Sequence, residues 1–210
     1  MTTLTSIVAA LCRFPAKSET IGAPERRGDL QNPPSWLLIR VMKLSTKLEK
    51  ALNDQINLEL GSAYAYLGMA GYFATTPFCG FATWMHLQSK EELDHAQRFF
   101  KYINERGGKV ALKAIPEPRS EFKTPLDAFR ASLVHEQRVS ASICAIYEMA
   151  QAEKDYPTLS FLKWFLDEQV EEEKNVGEMI AKLELVGNNN NGLFHLDKLA
   201  AKRAEQKEGC

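Results

Sequence analysis

Residues 89–100 read SKEELDHAQRFF, and this stretch decides the fold because it has a carboxylate on a helix face that is otherwise apolar. In a helix, Glu92 and His95 would lie three residues apart on one face. Met85 lies seven residues before Glu92 and Phe99 seven residues after it, so that face is otherwise apolar. Because a buried charge costs several kcal/mol unless it is compensated, a carboxylate in this column needs a physical explanation.

A polar residue in an apolar column also occurs in each of the other three long segments with helical periodicity. In each of them, apolar residues spaced by seven positions form a column, and a polar residue interrupts it near the middle. The interrupting residues are Glu59, Glu136 and Gln169, and Glu172 occupies a neighbouring core position beside Gln169. A polar residue at mid-helix in every segment indicates one shared site rather than four unrelated substitutions.

From residue 45 onward the chain has the periodicity of long amphipathic helices and no strand-like alternation. Glycines follow the predicted ends of the second and fourth helices, as is typical of helix termini. The predicted helices are residues 45–73, 81–106, 125–154 and 157–186, with a fifth at residues 193–206.

The connections determine how these helices are arranged. Residues 109–125 contain three prolines and predict a long irregular crossing, and the NNNNG run at residues 188–192 predicts a polar loop. The other two connections are short, so the helices within each pair are antiparallel. We therefore predict an all-α fold, a four-helix bundle with one long crossover and a short fifth C-terminal helix. The mid-helix polar residues would then meet at one level.

The bundle is predicted to span residues 43–187, and residues 188–210 hold the loop, the fifth helix and a tail. Residues 1–42 contain four prolines and no sustained amphipathic pattern, so we expect a poorly ordered N-terminal extension. Because Met42 opens the helical part, it is also a candidate translation start.

The composition argues against several classes of protein. Of the 210 residues, 45% are hydrophobic and 25% are charged, as in an ordinary globular domain. A formal net charge of −1 gives no reason to expect a nucleic acid or an anionic membrane as partner. The four cysteines form no CxxC pair, which argues against a zinc site or a disulfide scaffold and favours a reducing, cytoplasmic location.

Metal ions would compensate the charge of the carboxylates in the apolar columns. Buried carboxylates lose hydration and repel one another, but two ferrous ions carry as much positive charge as four glutamates carry negative charge. Carboxylate and imidazole ligands suit iron or manganese. The columns therefore predict a dinuclear metal site formed by Glu59, Glu92, His95, Glu136, Gln169 and Glu172.

Each of these residues also has a simpler interpretation when it is taken alone. A single buried Glu59 could fix the register of the bundle, and Glu92 with His95 could be an internally satisfied pair. The EEE run at residues 171–173 could be a solvated helix face. Only their recurrence at matching depth favours the metal site.

Other residues whose side chains could take part in chemistry fit the metal site less well. Tyr66 can be either a core aromatic whose hydroxyl is hydrogen-bonded or an electron donor beside the metals, and the sequence leaves both open. Trp164 is interpreted as a packing residue. The remaining histidines are interpreted as structural or solvated, and they are His86, His135 and His195.

Four motifs, taken in order, resemble those of the non-haem bacterial-type ferritins. They are NDQINLELGSAYAYLGM, SKEELDHAQRFF, LVHEQ and FLKWFLDEQVEEEKNVGEMIAKLELVG. The resemblance implies a ferritin-like bundle in which Glu92 bridges two irons and Tyr66 lies beside them. It also implies a ferroxidase centre at Glu59, Glu92, His95, Glu136 and Gln169. A third iron site is implied at Glu91, Glu168, Glu171 and Glu172.

Departures from related families narrow the resemblance. Gln169 and Glu172 stand where a symmetrical di-iron site has a second Glu-x-x-His pair, which argues against bacterioferritin and rubrerythrin. Leu93 follows the bridging glutamate where bacterioferritin has its haem-binding methionine, so no haem is expected. The chain also has no CxxC pairs from which a rubredoxin domain could be built.

The resemblance implies iron storage as the function. Ferrous iron would be oxidised by dioxygen or hydrogen peroxide and deposited as ferric mineral inside a hollow cage of two dozen subunits, with the fifth helix lining pores. One alternative is a non-storing di-iron oxidase or peroxidase of rubrerythrin-like type. Another is a structural or DNA-protecting cage, against which the lack of a lysine-rich tail argues. No nucleic acid or membrane partner is expected.

Overall fold

The computed structural model describes residues 43–208, with side chains described to residue 202. The predicted extension at residues 1–42 lies outside the described residues. The helices are α1 (Thr46–Ala74), α2 (Cys79–Glu105), α3 (Pro125–Ala152), α4 (Tyr156–Val186) and α5 (Asn190–Glu208). The predicted all-α bundle with a long crossover and a fifth helix is therefore confirmed. No helix of the described part is long and apolar enough to cross a membrane.

Side-chain caps explain where three of the helices begin. Ser45 accepts a hydrogen bond from the Leu48 amide at the start of α1, at 3.1 Å. Thr124 caps α3 in the same way, followed by Pro125 in the first turn, where its missing N–H is not needed. The side chain of Asp155 caps α4. These local signals place the observed starts within two residues of the predicted ones.

Two apolar clusters fill the bundle, one toward each end. Phe73, Phe81 and Phe129 belong to the first cluster, together with Met179 from α4. The second includes Leu52, Phe99, Ile143 and Phe165. On every long helix the residues between the two clusters are the ones that interrupt the apolar columns. The bundle therefore consists of a polar layer between two apolar ones, at the single level predicted from the antiparallel pairing.

Two asparagines of α1 hold the long crossover in place. The Asn53 side chain donates to the carbonyl of Lys109 at 2.9 Å and accepts from the amide of Ala111 at 2.6 Å. Asn57 donates to the Ala111 carbonyl at 3.0 Å and accepts from the Lys113 amide at 2.6 Å. Side-chain amides thus satisfy backbone groups of a segment that has no regular structure of its own.

Helix α5 begins earlier than predicted and docks on α2. The Asn189 side chain accepts a hydrogen bond from the Gly192 amide at 2.9 Å and so caps α5, whose first turn includes part of the NNNNG run. The prediction of a loop through residue 192 was therefore wrong. Asp197 accepts from the Phe81 amide at 2.8 Å and so caps α2, whose own N-cap residue, Phe78, makes no side-chain cap bond. The approach is close: a Cβ on Gly80 would lie 1.8 Å from the Asp197 carbonyl oxygen.

This contact predicts that Gly80→Ala displaces α5 while leaving the bundle folded. The methyl group meets backbone rather than a movable side chain, so the helix itself must shift. Faster hydrogen exchange confined to α5 and the start of α2 is the expected result. Gly71→Ala is the matched control, because a Cβ there meets nothing within 4 Å; equal exchange in the two variants would contradict the docking role of Gly80.

Candidate metal centre

The polar layer gathers one or two buried side chains from each long helix. None of them exposes more than 5% of its surface. The side chains are Glu59 from α1, Glu92 and His95 from α2, Glu136 from α3, and Gln169 and Glu172 from α4. The residues selected by their spacing in the sequence are thus all buried in one layer.

Three of these residues form a compact group. Glu59, Glu92 and His95 each offer a ligand atom, and the three atoms lie within 4.8 Å of one another. Within the described chain, Oε2 of Glu59, both oxygens of Glu92 and Nδ1 of His95 make no hydrogen bond. His95 Nδ1 lies 3.7 Å from Glu92 Oε2, too far for one. Buried carboxylate oxygens without donors are rare in proteins, and a bound cation would account for them.

The ring of His95 is held in place by aromatic contacts. It meets the edges of Trp164 and Phe165 at centroid distances of 5.4 and 5.8 Å. The Arg98 guanidinium lies 3.9 Å from the Trp164 ring centroid on the outer side. Trp164 therefore packs beside the centre, in line with its interpretation as a packing residue.

Glu136 is bound differently from the compact group. One of its carboxylate oxygens accepts a hydrogen bond from the Tyr66 hydroxyl, and the other accepts from Gln169 Nε2 at 3.2 Å. Gln169 also lies 3.3 Å from Ser140 Oγ. Both oxygens of Glu136 are thus already engaged. Tyr66 is a buried aromatic whose hydroxyl is bonded, which fits its first interpretation and places it beside the centre as the second one requires.

The four residues of the implied third site are spread over a gradient of exposure. Glu172 is buried and accepts from Gln88 Nε2 at 2.7 Å. Glu91 and Glu168 are half-buried, and Glu171 is exposed and accepts from Asn175. They do not form a compact group of three ligand atoms like that of Glu59, the only such group in the described chain.

Two buried glutamines were missed from the sequence. Gln55 donates to Glu59 Oε1 at 2.9 Å, and Gln88 donates to Glu172. Gln55 lies seven residues after Leu48, and Gln88 lies seven after Phe81. The spacing rule that selected the glutamates could have found both.

The remaining histidines lie outside the centre. His86 and His195 are exposed. His135 is half-buried, and burial, with a smaller effect of Arg138, lowers the pKa of its imidazole. None belongs to the compact group, so the structure agrees with their interpretation as structural or solvated residues.

Burial raises the pKa of every carboxyl in the centre for which a shift is resolved. For Glu59, burial raises the pKa well above its ordinary value, and the charge of Glu92 adds to the effect. Burial also raises the pKa of Glu92, with the charge of Glu136 as the next cause. The pKa of Glu136 rises to about 7, mainly through burial, although the Tyr66 hydroxyl opposes the shift. Without metal the layer holds protons; a divalent cation can replace them.

Comparison with known proteins decides the family. Residues 49–186 match the model of the ferritin family, a ferritin-like domain. A bacterial non-heme ferritin of Staphylococcus haemolyticus is 43% identical over 165 residues, covering 79% of this chain and 99% of the relative. The corresponding protein of Staphylococcus aureus is 41% identical over the same coverage. The chain belongs to the ferritin family.

Solved ferritin structures agree with this assignment. An open pore ferritin from the hyperthermophilic archaeon Archaeoglobus fulgidus has a TM-score of 0.74 and 46% identity, covering 75% of this chain and 96% of that one. A humanized archaeal ferritin has a TM-score of 0.75 and 44% identity, covering 76% and 96%. The bundle, the crossover and the C-terminal helix are therefore those of a ferritin subunit.

The raised pKa values predict that the metal-free ferritin loses stability as the pH rises. Between the ordinary pKa of 4.5 and the value of about 7 in the folded state, folded Glu136 holds a proton that the unfolded chain has released. The free energy of unfolding then falls with pH, by about 1.4 kcal/mol per pH unit for one such carboxyl.

The measurement is urea unfolding of metal-free protein at several pH values from 5 to 7.5, on the parent and on Glu136→Gln. The amide cannot titrate, so the variant should show a shallower decrease. Parallel pH profiles for the two proteins would show that Glu136 does not hold this proton.

Proposed function

We propose that this ferritin oxidises ferrous iron at the centre in its polar layer and stores the ferric product. Glu59, Glu92 and His95 would bind one iron, and Glu92, Glu136 and Gln169 would serve a second. The observation that carries the proposal is the compact group of buried donor atoms that make no hydrogen bond within the described chain. Membership of the ferritin family supports iron rather than manganese as the metal.

The chemistry requires two ferrous ions close together. Each gives up one electron, so a pair can reduce one dioxygen to hydrogen peroxide, or one peroxide to water. Four helices hold the side chains at a fixed level. Glu92 belongs to the group with Glu59 and His95 and also interacts electrostatically with Glu136, so it would be the ligand that both ions share. Because the apolar clusters on either side exclude water, the ionised carboxylates interact strongly with the cations.

The compact group and Glu136 differ in how many hydrogen bonds already engage their ligand atoms. The atoms of Glu59, Glu92 and His95 that face one another have no hydrogen bonds to lose. Glu136 already accepts bonds from Tyr66 and Gln169, which compete with an ion for its oxygens. We therefore expect the compact group to bind first.

The third iron site remains part of the proposal. Glu172 and the half-buried Glu91 and Glu168 lie on α2 and α4, next to the centre, and Glu171 extends the acidic run to the surface. Such a run can attract ferrous ions or receive ferric ones. Haem stays unexpected, because Leu93 offers no thioether ligand.

Storage requires a cavity that a single bundle lacks, so we propose assembly into a hollow cage of two dozen subunits. Large apolar side chains that are nearly half exposed support the assembly, since contacts between subunits would cover them. On α1 and α2 they are Tyr64, Leu67, Leu93 and Phe100. A cytoplasmic location, predicted from the unpaired cysteines, stays a prediction.

Iron binding and oxidation can be tested by anaerobic titration with ferrous iron, followed by exposure to oxygen. The parent should bind about two ferrous ions tightly per chain, as charge balance requires. Glu92→Ala removes the ligand shared by both halves and should slow oxidation by about 100-fold or more. Glu178→Ala, which removes an exposed glutamate paired with Lys182 on α4, is the matched control. Equal rates in the parent and Glu92→Ala would refute the centre.

Storage is tested separately by assembly and mineral content. Size-exclusion chromatography with light scattering should give a particle of about two dozen chains, which retains iron through many cycles of oxidation. A stable monomer would remove the storage function and leave the metal site intact. Repeated peroxide turnover without iron retention would favour the non-storing oxidase or peroxidase.

A further inference from the structure

Gln55 is a fully buried amide on α1, one turn before Glu59. Its Nε2 donates to Glu59 Oε1 at 2.9 Å. Its own Oε1 makes no hydrogen bond within the described chain. The side chain therefore makes one hydrogen bond, and that bond goes to a carboxylate of the metal centre.

Packing does not explain an amide at this position. Gln55 lies seven residues after Leu48 and next to Ile56, in the apolar part of the bundle, where an aliphatic side chain would fill the same space. A buried amide oxygen without a partner reduces stability, so the amide is unfavourable for the fold taken alone. The bond to Glu59 is the feature that accounts for it.

The bond determines which oxygen of Glu59 is left for a metal. Because Gln55 occupies Oε1, the oxygen without a partner is Oε2. Fixing one oxygen also restricts the rotamers of a long side chain before any ion arrives, so less conformational entropy is lost on binding.

A neutral donor suits this task better than a charged one. Lysine or arginine at residue 55 would neutralise Glu59 and weaken its attraction for a cation. The amide stabilises the ionised carboxylate without cancelling its charge. Gln88 of α2 likewise donates a neutral hydrogen bond to Glu172 of α4.

We propose that Gln55 is a positioning residue that presents Glu59 Oε2 to the first metal ion. This inference rests on the proposed function, because it needs the compact group to bind metal. It adds a residue that touches no metal itself and sets the affinity of the first binding step.

The test is anaerobic titration of the full-length protein with Co²⁺, a divalent ion that oxygen-free buffer keeps in one oxidation state. Calorimetry gives the affinity, and the visible absorption of bound Co²⁺ reports its coordination. The binding step that disappears in Glu59→Ala defines the site. Gln55→Leu should weaken that step by about ten- to a hundred-fold and change its absorption spectrum, as loss of an outer hydrogen-bond partner does.

Two further variants separate positioning from general destabilisation. Gln55→Asn keeps an amide but shortens it by one methylene, so its donor is drawn back from Glu59; it should weaken Co²⁺ binding similarly, and it decides the question if Gln55→Leu does not fold. Asn53→Leu removes two crossover bonds on the same helix. It should lower the melting temperature and leave Co²⁺ affinity unchanged.

The outcomes distinguish this inference from the proposed function. If the parent shows no Co²⁺ step that depends on Glu59, the proposed metal centre fails. If the parent binds Co²⁺ and the affinities of the Gln55 variants are within about threefold of the parent's, only the positioning role fails. The loss of an outer hydrogen-bond partner should lower the affinity by more than that. Equal weakening in Asn53→Leu would overturn the positioning role as well, because destabilisation would then explain the effect.

Discussion

The uncompensated burial of carboxylates in the middle of the bundle is the constraint on which the rest of this structure depends. Elsewhere the chain pairs buried charges internally: Arg106 donates to both oxygens of Asp155, at 3.0 and 2.7 Å, and also to Thr158. Those hydrogen bonds outweigh the burial that would raise the pKa of Asp155, and they hold it below its usual range. Glu92 is buried at least as deeply, and within the described chain the only proton within reach of its oxygens is one held by Glu59. The contrast favours Glu92 rather than Asp155 as a ligand of the proposed metal centre.

The two apolar clusters make this arrangement tolerable. Each fills one end of the bundle with aromatic and aliphatic packing, whose burial stabilises the fold and offsets the cost of the layer between them. A ligand that binds only the folded state then adds to stability in proportion to its affinity. The groups that weaken the metal-free protein are therefore those that make cation binding favourable.

Seven-residue spacing predicted the fold and the depth of the centre because it depends on helix geometry alone. It placed Glu59 and Glu136 at one level without knowledge of their rotamers. It could not show that Glu136 is bonded to Tyr66 whereas Glu59 faces Glu92, since those choices depend on side-chain torsions and on neighbouring helices. The predicted start of α5 was wrong for a similar reason. A run of asparagines is typical of a loop, but here the Asn189 side chain caps a helix.

The hydrogen bonds around the centre make its two halves different. On the α1–α2 side, Gln55 donates to one oxygen of Glu59, and the facing ligand atoms make no hydrogen bond. In the other half, Tyr66 of α1 and Gln169 of α4 donate to the two oxygens of Glu136. A second ion would compete with those bonds for the lone pairs of Glu136, and it would gain the Coulomb attraction of Glu92 and Glu136 in return. We therefore expect the order of binding to follow from which carboxylates already have donors. In the proposed centre, the helices determine the depth of the ligands, and the hydrogen bonds of the amides and the tyrosine determine how easily each ligand can bind an ion.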